Sequence, residues 1–168
     1  MRLAIIDYGA GNLRNVARAV ACLGYEGVIT SSPRDVLAAD AVILPGAGAT
    51  ADTVRSLRQL ELDGAIARFI ASGRPFMGVC VGLQVLFEAS EEGGLHDCLG
   101  ILPGRVRRLP DGPKVPHIGW NRVHQTQEHP IFSGVAEGDF FYFVHSYYAD
   151  VQDPTLVVAD TEYGVAFP

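Results

Sequence analysis

Short apolar runs alternate with helical periods through the first half of this 168-residue chain, and that alternation sets the tightest limit on its fold. Leu3 to Ile6 is a continuous apolar run, the pattern of a strand buried on both faces. Gly9-Ala10-Gly11-Asn12 then turns the chain, with Asn12 placed to cap a helix. Leu13, Val16, Val20 and Leu23 recur at helical spacing, and Gly24 closes that helix. Glu26 to Thr30 and Ala41 to Leu44 read as further strands, the latter cut off by Pro45-Gly46. Thr53 to Ala71 reads as one long helix, with Leu57, Leu60, Ile66 and Ile70 as apolar positions and Gly73 as its stop. Pro75-Phe76-Met77 supplies a fourth strand. Together these argue for an α/β fold: an open, mostly parallel sheet with helices on both faces.

From about Ile101 the pattern changes. Short β-like runs follow at Arg105 to Leu109, Trp120 to Val123, Phe140 to Val144 and Thr155 to Ala159, separated by loops rich in Pro and Gly. No helical period is sustained there, so extra and antiparallel strands joined to the same sheet are expected, within a single domain over residues 1–168. The final run, Tyr163 to Pro168, reads as the start of another strand with neither a closing helix nor a polar tail, and the expectation is a truncated sequence.

Composition removes several function classes. A hydrophobic content of 48% with 19% charged residues excludes disorder. The net charge is −6, the basic residues are scattered, and Arg107-Arg108 is their densest cluster, so neither nucleic acid nor an anionic membrane surface is an expected partner. Cys22, Cys80 and Cys98 make an odd count without metal-like spacing, which points to a reducing compartment, no disulfide framework and no metal site. Asp7 interrupts the N-terminal apolar run too early for a signal peptide, and no run is long enough to span a membrane; a cytoplasmic location is expected.

The chemistry concentrates at Gly78-Val79-Cys80-Val81-Gly82-Leu83-Gln84. A cysteine between two near glycines, where an apolar run gives way to a helix-like stretch (Leu83 to Glu88), has what a nucleophile elbow needs. The glycines permit a sharp turn and the close approach of another backbone. The helix is expected to aim its N-terminal N–H groups and positive dipole end at the sulfur, favouring thiolate. Cys22 is expected in the core. The Gly-x-Gly of Asp7 to Asn12 superficially matches a dinucleotide fingerprint, but the third glycine is missing and no acid ends the second strand, so no cofactor is expected.

At this point the chain resembles the glutaminase subunits of imidazole glycerol phosphate synthases, within the class I (triad) glutamine amidotransferases. The elbow is shared with the whole superfamily. Asp7 to Asn12, Pro45-Gly46-Ala47-Gly48, Pro116-His117-Ile118-Gly119-Trp120-Asn121 and Tyr142 to Tyr147 narrow the resemblance. It implies a flavodoxin-like sheet and a glutamine amidotransferase type 1 domain. It also implies that Cys80 attacks the glutamine side-chain amide, forming a thioester and releasing ammonia. The oxyanion hole would combine the N–H of Val81 with that of Ala47, brought in by reorientation at Gly46. Gly48, Gln84, Ser146 and Tyr147 would hold the amino-acid end of glutamine. Asn12, His117, Trp120 and Tyr142 would face the partner, a TIM-barrel cyclase subunit.

Two departures stand out. Thr50 replaces the family's aromatic residue after the Pro-Gly loop, expected to be a local packing change. The family's His-Pro-Glu motif, carrying the general base and its acid, belongs beyond a Tyr-Gly-x-x-Phe segment that here is Tyr163 to Phe167. His145 and His117 are read as structural or interface residues rather than substitutes for that base, and His96, His124 and His129 as solvated. Trp120 is equally compatible with a core position or an interface anchor. The rival readings are another class I glutaminase and a non-catalytic partner-binding subunit.

Overall fold

The computed structural model describes residues 1–168. Strands β1 (Leu3–Ile6), β2 (Gly27–Thr30), β3 (Ala41–Leu44) and β4 (Phe76–Gly78) form a parallel sheet in the order β2-β1-β3-β4. Side-chain alternation along β1 and β3 assigns the two faces. Leu3, Ile5, Ala41 and Ile43 pack against Leu13, Val16, Ala17 and Val20 of helix α1 (Leu13–Cys22). Ala4, Ile6, Val42 and Leu44 point the other way, into the main core. That core is closed by α2 (Pro33–Ala38), α3 (Thr50–Gln59) and α4 (Leu62–Ala71), through Val36, Val54, Leu57, Leu62, Ile66 and Phe69. Leu57, Leu62, Ile66 and Phe69 are fully buried, each stabilising the fold by about 1.5–3 kcal/mol. Helices thus cover both faces of an open parallel sheet, as the alternation predicts.

Several local expectations are corrected. The long helix is two helices, broken where Glu61 adopts φ 56°. The break resets the helical phase, so that Leu57 before it and Leu62 after it both reach the core while Leu60 stays exposed. Helix α2 is a further element the apolar pattern did not reveal; Ser32 caps it and Pro33 opens it. Cys22 is exposed, because it lies off the stripe formed by Leu13, Val16 and Val20, and the buried cysteine is Cys98. Helix α5 after the elbow is only Val81–Gln84. The chain then extends as β5 (Phe87–Ser90), drawn out by pairing with β7 (Leu102–Arg108).

The second half does not join the first sheet. β5 pairs with β6 (His96–Asp97) and β7, and β7 with β11 (Tyr147–Val151), giving the order β11-β7-β5-β6. β8 (His117–Arg122) and β10 (Phe140–His145) form a separate antiparallel ribbon. β9 (His124–Gln125), β12 (Ala159–Glu162) and β13 (Ala166–Phe167) make a third small sheet. The strand expected over Thr155 to Ala159 is displaced: a 3-10 turn at Pro154–Leu156, capped by Asp153, occupies the start of the run, and only its last residue, Ala159, enters β12. No helix is long and apolar enough to cross a membrane.

Candidate active site

The order β2-β1-β3-β4 reverses direction between β1 and β3, and the loops leaving the carboxyl ends of these strands converge there, where open α/β sheets bind ligands. They carry Tyr8 to Asn12 after β1, Pro45 to Gly48 after β3, and Val79-Cys80 after β4.

Cys80 is exposed and sits at φ 55°, ψ −120°. That is the first corner of a type II′ turn, a conformation that suits glycine and strains any residue with a Cβ. The turn is clamped on both sides. Val79 N–H donates to the Leu44 carbonyl (3.0 Å), while Leu83 and Gln84 N–H donate to the Cys80 carbonyl (2.9 and 3.1 Å). As the first helical residue, Val81 leaves its N–H outside the intrahelical ladder. A single turn builds little of the macrodipole expected from a longer helix; with Gly82 N–H donating to the Val79 carbonyl (3.0 Å), it leaves the Val81 N–H as its free donor.

The Pro-Gly loop presses directly on this elbow. A Cβ at Gly46 would lie 2.7 and 2.8 Å from the Val81 carbonyl carbon and Cα, and still closer to Gly82 N. A Cβ at Gly82 would collide with the Leu44 carbonyl, and one at Gly78 would meet Leu83 N at 2.8 Å. These glycines are therefore required for space, backbone against backbone. Ala47 N–H points away from the elbow and donates to the Tyr8 hydroxyl (3.3 Å). Gly48, exposed, follows at φ 91°.

Thr50 is more than a packing change. It is fully buried, its N–H donates to Glu92 Oε2 (2.7 Å), and its hydroxyl meets Ser90 Oγ and His96 Nε2, each at 2.9 Å. His96 is accordingly held in a polar knot rather than free in solvent, whereas His124 pairs with Glu137 and His129 caps a 3-10 turn.

Gln84 lies on α5 and donates through Nε2 to the Tyr147 carbonyl (3.1 Å), which joins the elbow helix to the Ser146-Tyr147 segment. Ser146 in turn accepts Leu109 N–H through its carbonyl (2.9 Å). Asn12 caps α1 and is exposed. Trp120 and Tyr142 are exposed, 68% and 56%, and stack edge to face as a cross-strand pair with ring centroids 5.6 Å apart. That resolves the alternative for Trp120 in favour of the surface. His117 does not belong with them. It is 3% exposed and lies on the opposite face of the same strand, hydrogen-bonded to His145, so the sequence placement at a partner surface is corrected. His117 and His145 face each other across the two strands, and Asn121 lies four residues from His117 on the same strand face, a grouping that no local sequence pattern marks.

A strained cysteine at a strand-to-helix turn, at the carboxyl edge of a parallel sheet, defines the class of protein. The chain belongs to the family described as glutamine amidotransferase class-I, which it matches over residues 4–165. Among similar proteins, the imidazole glycerol phosphate synthase subunit HisH of Dehalococcoides mccartyi (strain CBDB1) is 53% identical over 165 residues, covering 98% of this chain and 80% of that protein. The subunit of the same name from Aquifex aeolicus (strain VF5) is 48% identical, covering 99% and 81%. Among solved structures, a glutamine amidotransferase superposes with a TM-score of 0.72 at 16% identity, covering 93% of this chain and 78% of that one. PurLQS from Thermotoga maritima superposes with 0.70 at 20% identity, covering 96% and 74%. At these identities the structural matches speak for the fold alone.

Proposed function

We propose that this chain is the glutaminase component of an imidazole glycerol phosphate synthase, acting in histidine biosynthesis in the cytoplasm. The observation that carries the proposal is Cys80 held at positive φ, with the Gly46-Ala47 loop in backbone contact with Val81-Gly82. The thiolate of Cys80 adds to the side-chain amide carbon of glutamine, and negative charge develops on the amide oxygen. The Val81 N–H, unpaired as the first residue of α5, is the donor proposed for that oxygen. Ala47 N–H supplies the second donor after leaving Tyr8, a rotation that Gly46 and Gly48 permit. Collapse breaks the carbon–nitrogen bond; ammonia leaves with a proton from the general acid, and water then cleaves the glutamyl thioester to glutamate.

Gly48, Gln84, Ser146 and Tyr147 are the residues proposed to hold the amino-acid end of the substrate. Trp120 and Tyr142, an exposed aromatic pair, are proposed to anchor a TIM-barrel cyclase subunit, with Asn12 at the same interface. Ammonia would pass to that partner, shielded from water, to form imidazole glycerol phosphate and aminoimidazole carboxamide ribotide. The test is alkylation of Cys80 by a chloroketone analogue of glutamine, with and without the cyclase subunit. Saturable labelling that Cys80→Ser abolishes is expected. Absence of labelling under both conditions, with the complex still forming, would favour a purely binding subunit.

A further inference from the structure

The β8–β10 ribbon has two unlike faces. Ile118, Trp120, Phe140, Tyr142 and Val144 are exposed on one face. The other carries His117 and His145 directly opposite each other, with Phe143 and Asn121. On this inner face His117 is stacked between Phe143 and Tyr163, with centroids 5.0 and 3.9 Å away.

The hydrogen bonds here have only one direction. The Tyr147 carbonyl can only accept, so the His145 Nδ1 facing it at 3.0 Å must carry the proton. In a neutral ring, His145 Nε2 is then a lone pair, and it accepts from His117 Nδ1 at 2.9 Å. His117 Nε2 is left as an acceptor, 3.5 Å from Asn121 Nδ2. The Asn121 amide cannot turn over: its oxygen accepts Arg122 N–H (2.8 Å) and its nitrogen donates to the Glu162 carbonyl (3.0 Å). An extra proton on either ring, after any tautomeric shift, places a donor opposite a donor at Asn121 or within the pair. Burial also opposes the charge, lowering the proton affinity of both rings.

The chain of bonds ends on the oxygen that Gln84 uses. The Tyr147 carbonyl accepts from His145 Nδ1 and from Gln84 Nε2 (3.1 Å), using both its lone pairs. We propose that His117 and His145 are positioning residues of the glutamine site: two neutral, Nδ1-protonated imidazoles that fix the Tyr147 carbonyl, and through it Gln84, and tie both to the inner face of the ribbon whose outer face carries Trp120. This rests on the reading of Gln84 and Tyr147 as substrate-holding residues. It gives the two histidines a role without proton transfer, acting on where glutamine sits rather than on the sulfur.

The test uses two alkylating agents on Cys80: the chloroketone analogue of glutamine, which must occupy the site, and iodoacetamide, which need not. His145→Phe keeps an aromatic ring but removes both hydrogen bonds. Its half-saturating concentration for the chloroketone is expected to rise about tenfold, with iodoacetamide labelling unchanged. His145→Asn places an amide N–H near the former Nδ1 and is expected to restore most of the loss. Unchanged saturation in His145→Phe, or no recovery in His145→Asn, would overturn the inference. So would equal loss with both reagents, which would signal general disruption. Nitrogen NMR of the unmodified chain near neutral pH provides a readout independent of folding variants: both rings are expected to be protonated at Nδ1 only, and an Nε2-protonated ring refutes the scheme. If the unmodified chain reacts with iodoacetamide yet shows no saturation with the chloroketone, the functional reading itself fails and takes this inference with it.

Discussion

Replacing Cys80 with glycine and, separately, with alanine measures the strain at the elbow. Both substitutions remove the exposed thiol, and they differ only in the presence of a Cβ at φ 55°, ψ −120°. Holding a residue with a Cβ in such a conformation costs about 1–3 kcal/mol. Glycine gives back about 0.5–1 kcal/mol, because its unfolded chain is freer. The difference favours Cys80→Gly over Cys80→Ala by roughly 1 kcal/mol. In a chain of this length that corresponds to about 2–4 °C in Tm. Thermal unfolding followed by circular dichroism, with the two variants in the same buffer, reads it directly. Cys80→Gly should melt highest of the three proteins while being chemically inert. An alanine variant as stable as the glycine variant would refute the idea that the turn stores strain, and with it the account of why the sulfur is held out in the open.

Gly46→Ala should lower stability by about 1–3 kcal/mol, because its Cβ meets the Val81 backbone at 2.7–2.8 Å and backbone cannot rotate aside; a urea midpoint equal to that of the parent chain would contradict the interlocked loops. Burial lowers the proton affinity of His117 and His145 from the ordinary value of 6.5. Below that value the unfolded chain binds more protons than the folded one, so stability should be fully present above about pH 6.5 and decline as pH falls toward the depressed folded values. Urea midpoints at about pH 7.5, 6.5 and 5.5 test the sign, and His145→Asn, with one fewer titrating ring, should flatten the decline. A midpoint that rises on acidification would reverse the assignment of both rings as neutral.

The parallel sheet was legible because strands buried on both faces must be apolar throughout, and Leu3 to Ile6 and Ala41 to Leu44 are. The elbow was legible because steric demands leave few residue choices, and those residues are glycines flanking a cysteine. Where long-range pairing overrode local preference, the sequence misled. Leu83 to Glu88 has a helical pattern, but Phe87 to Ser90 is extended against β7. The break at Glu61 has no glycine or proline to announce it; the need to turn Leu62 and Ile66 into the same core as Leu57 imposes it. The ribbon carries apolar side chains on both faces, with Phe141 and Phe143 beside the histidine pair inward and Ile118, Trp120, Phe140, Tyr142 and Val144 exposed outward, so alternation alone could not say which face was buried. Distances between residues far apart in the chain, such as Gln84 to Tyr147, are a property of the folded topology only.

The buried knot at Thr50 has a mechanical consequence for the loop it follows. Glu92, Ser90 and His96 fasten the first residue of α3 to the neighbouring β-sheet. At the other end Gly46 is trapped against the elbow. Between these two fixed points only the peptide planes from the Gly46–Ala47 bond to Ala49 remain free to turn, pivoting at the Gly46 Cα. Any rearrangement that frees Ala47 N–H from Tyr8 is therefore a crankshaft rotation of a few peptides about anchored ends, not the swing of a lid. Such a motion can redirect the Ala47 N–H while leaving the Cys80 elbow and the core where they are.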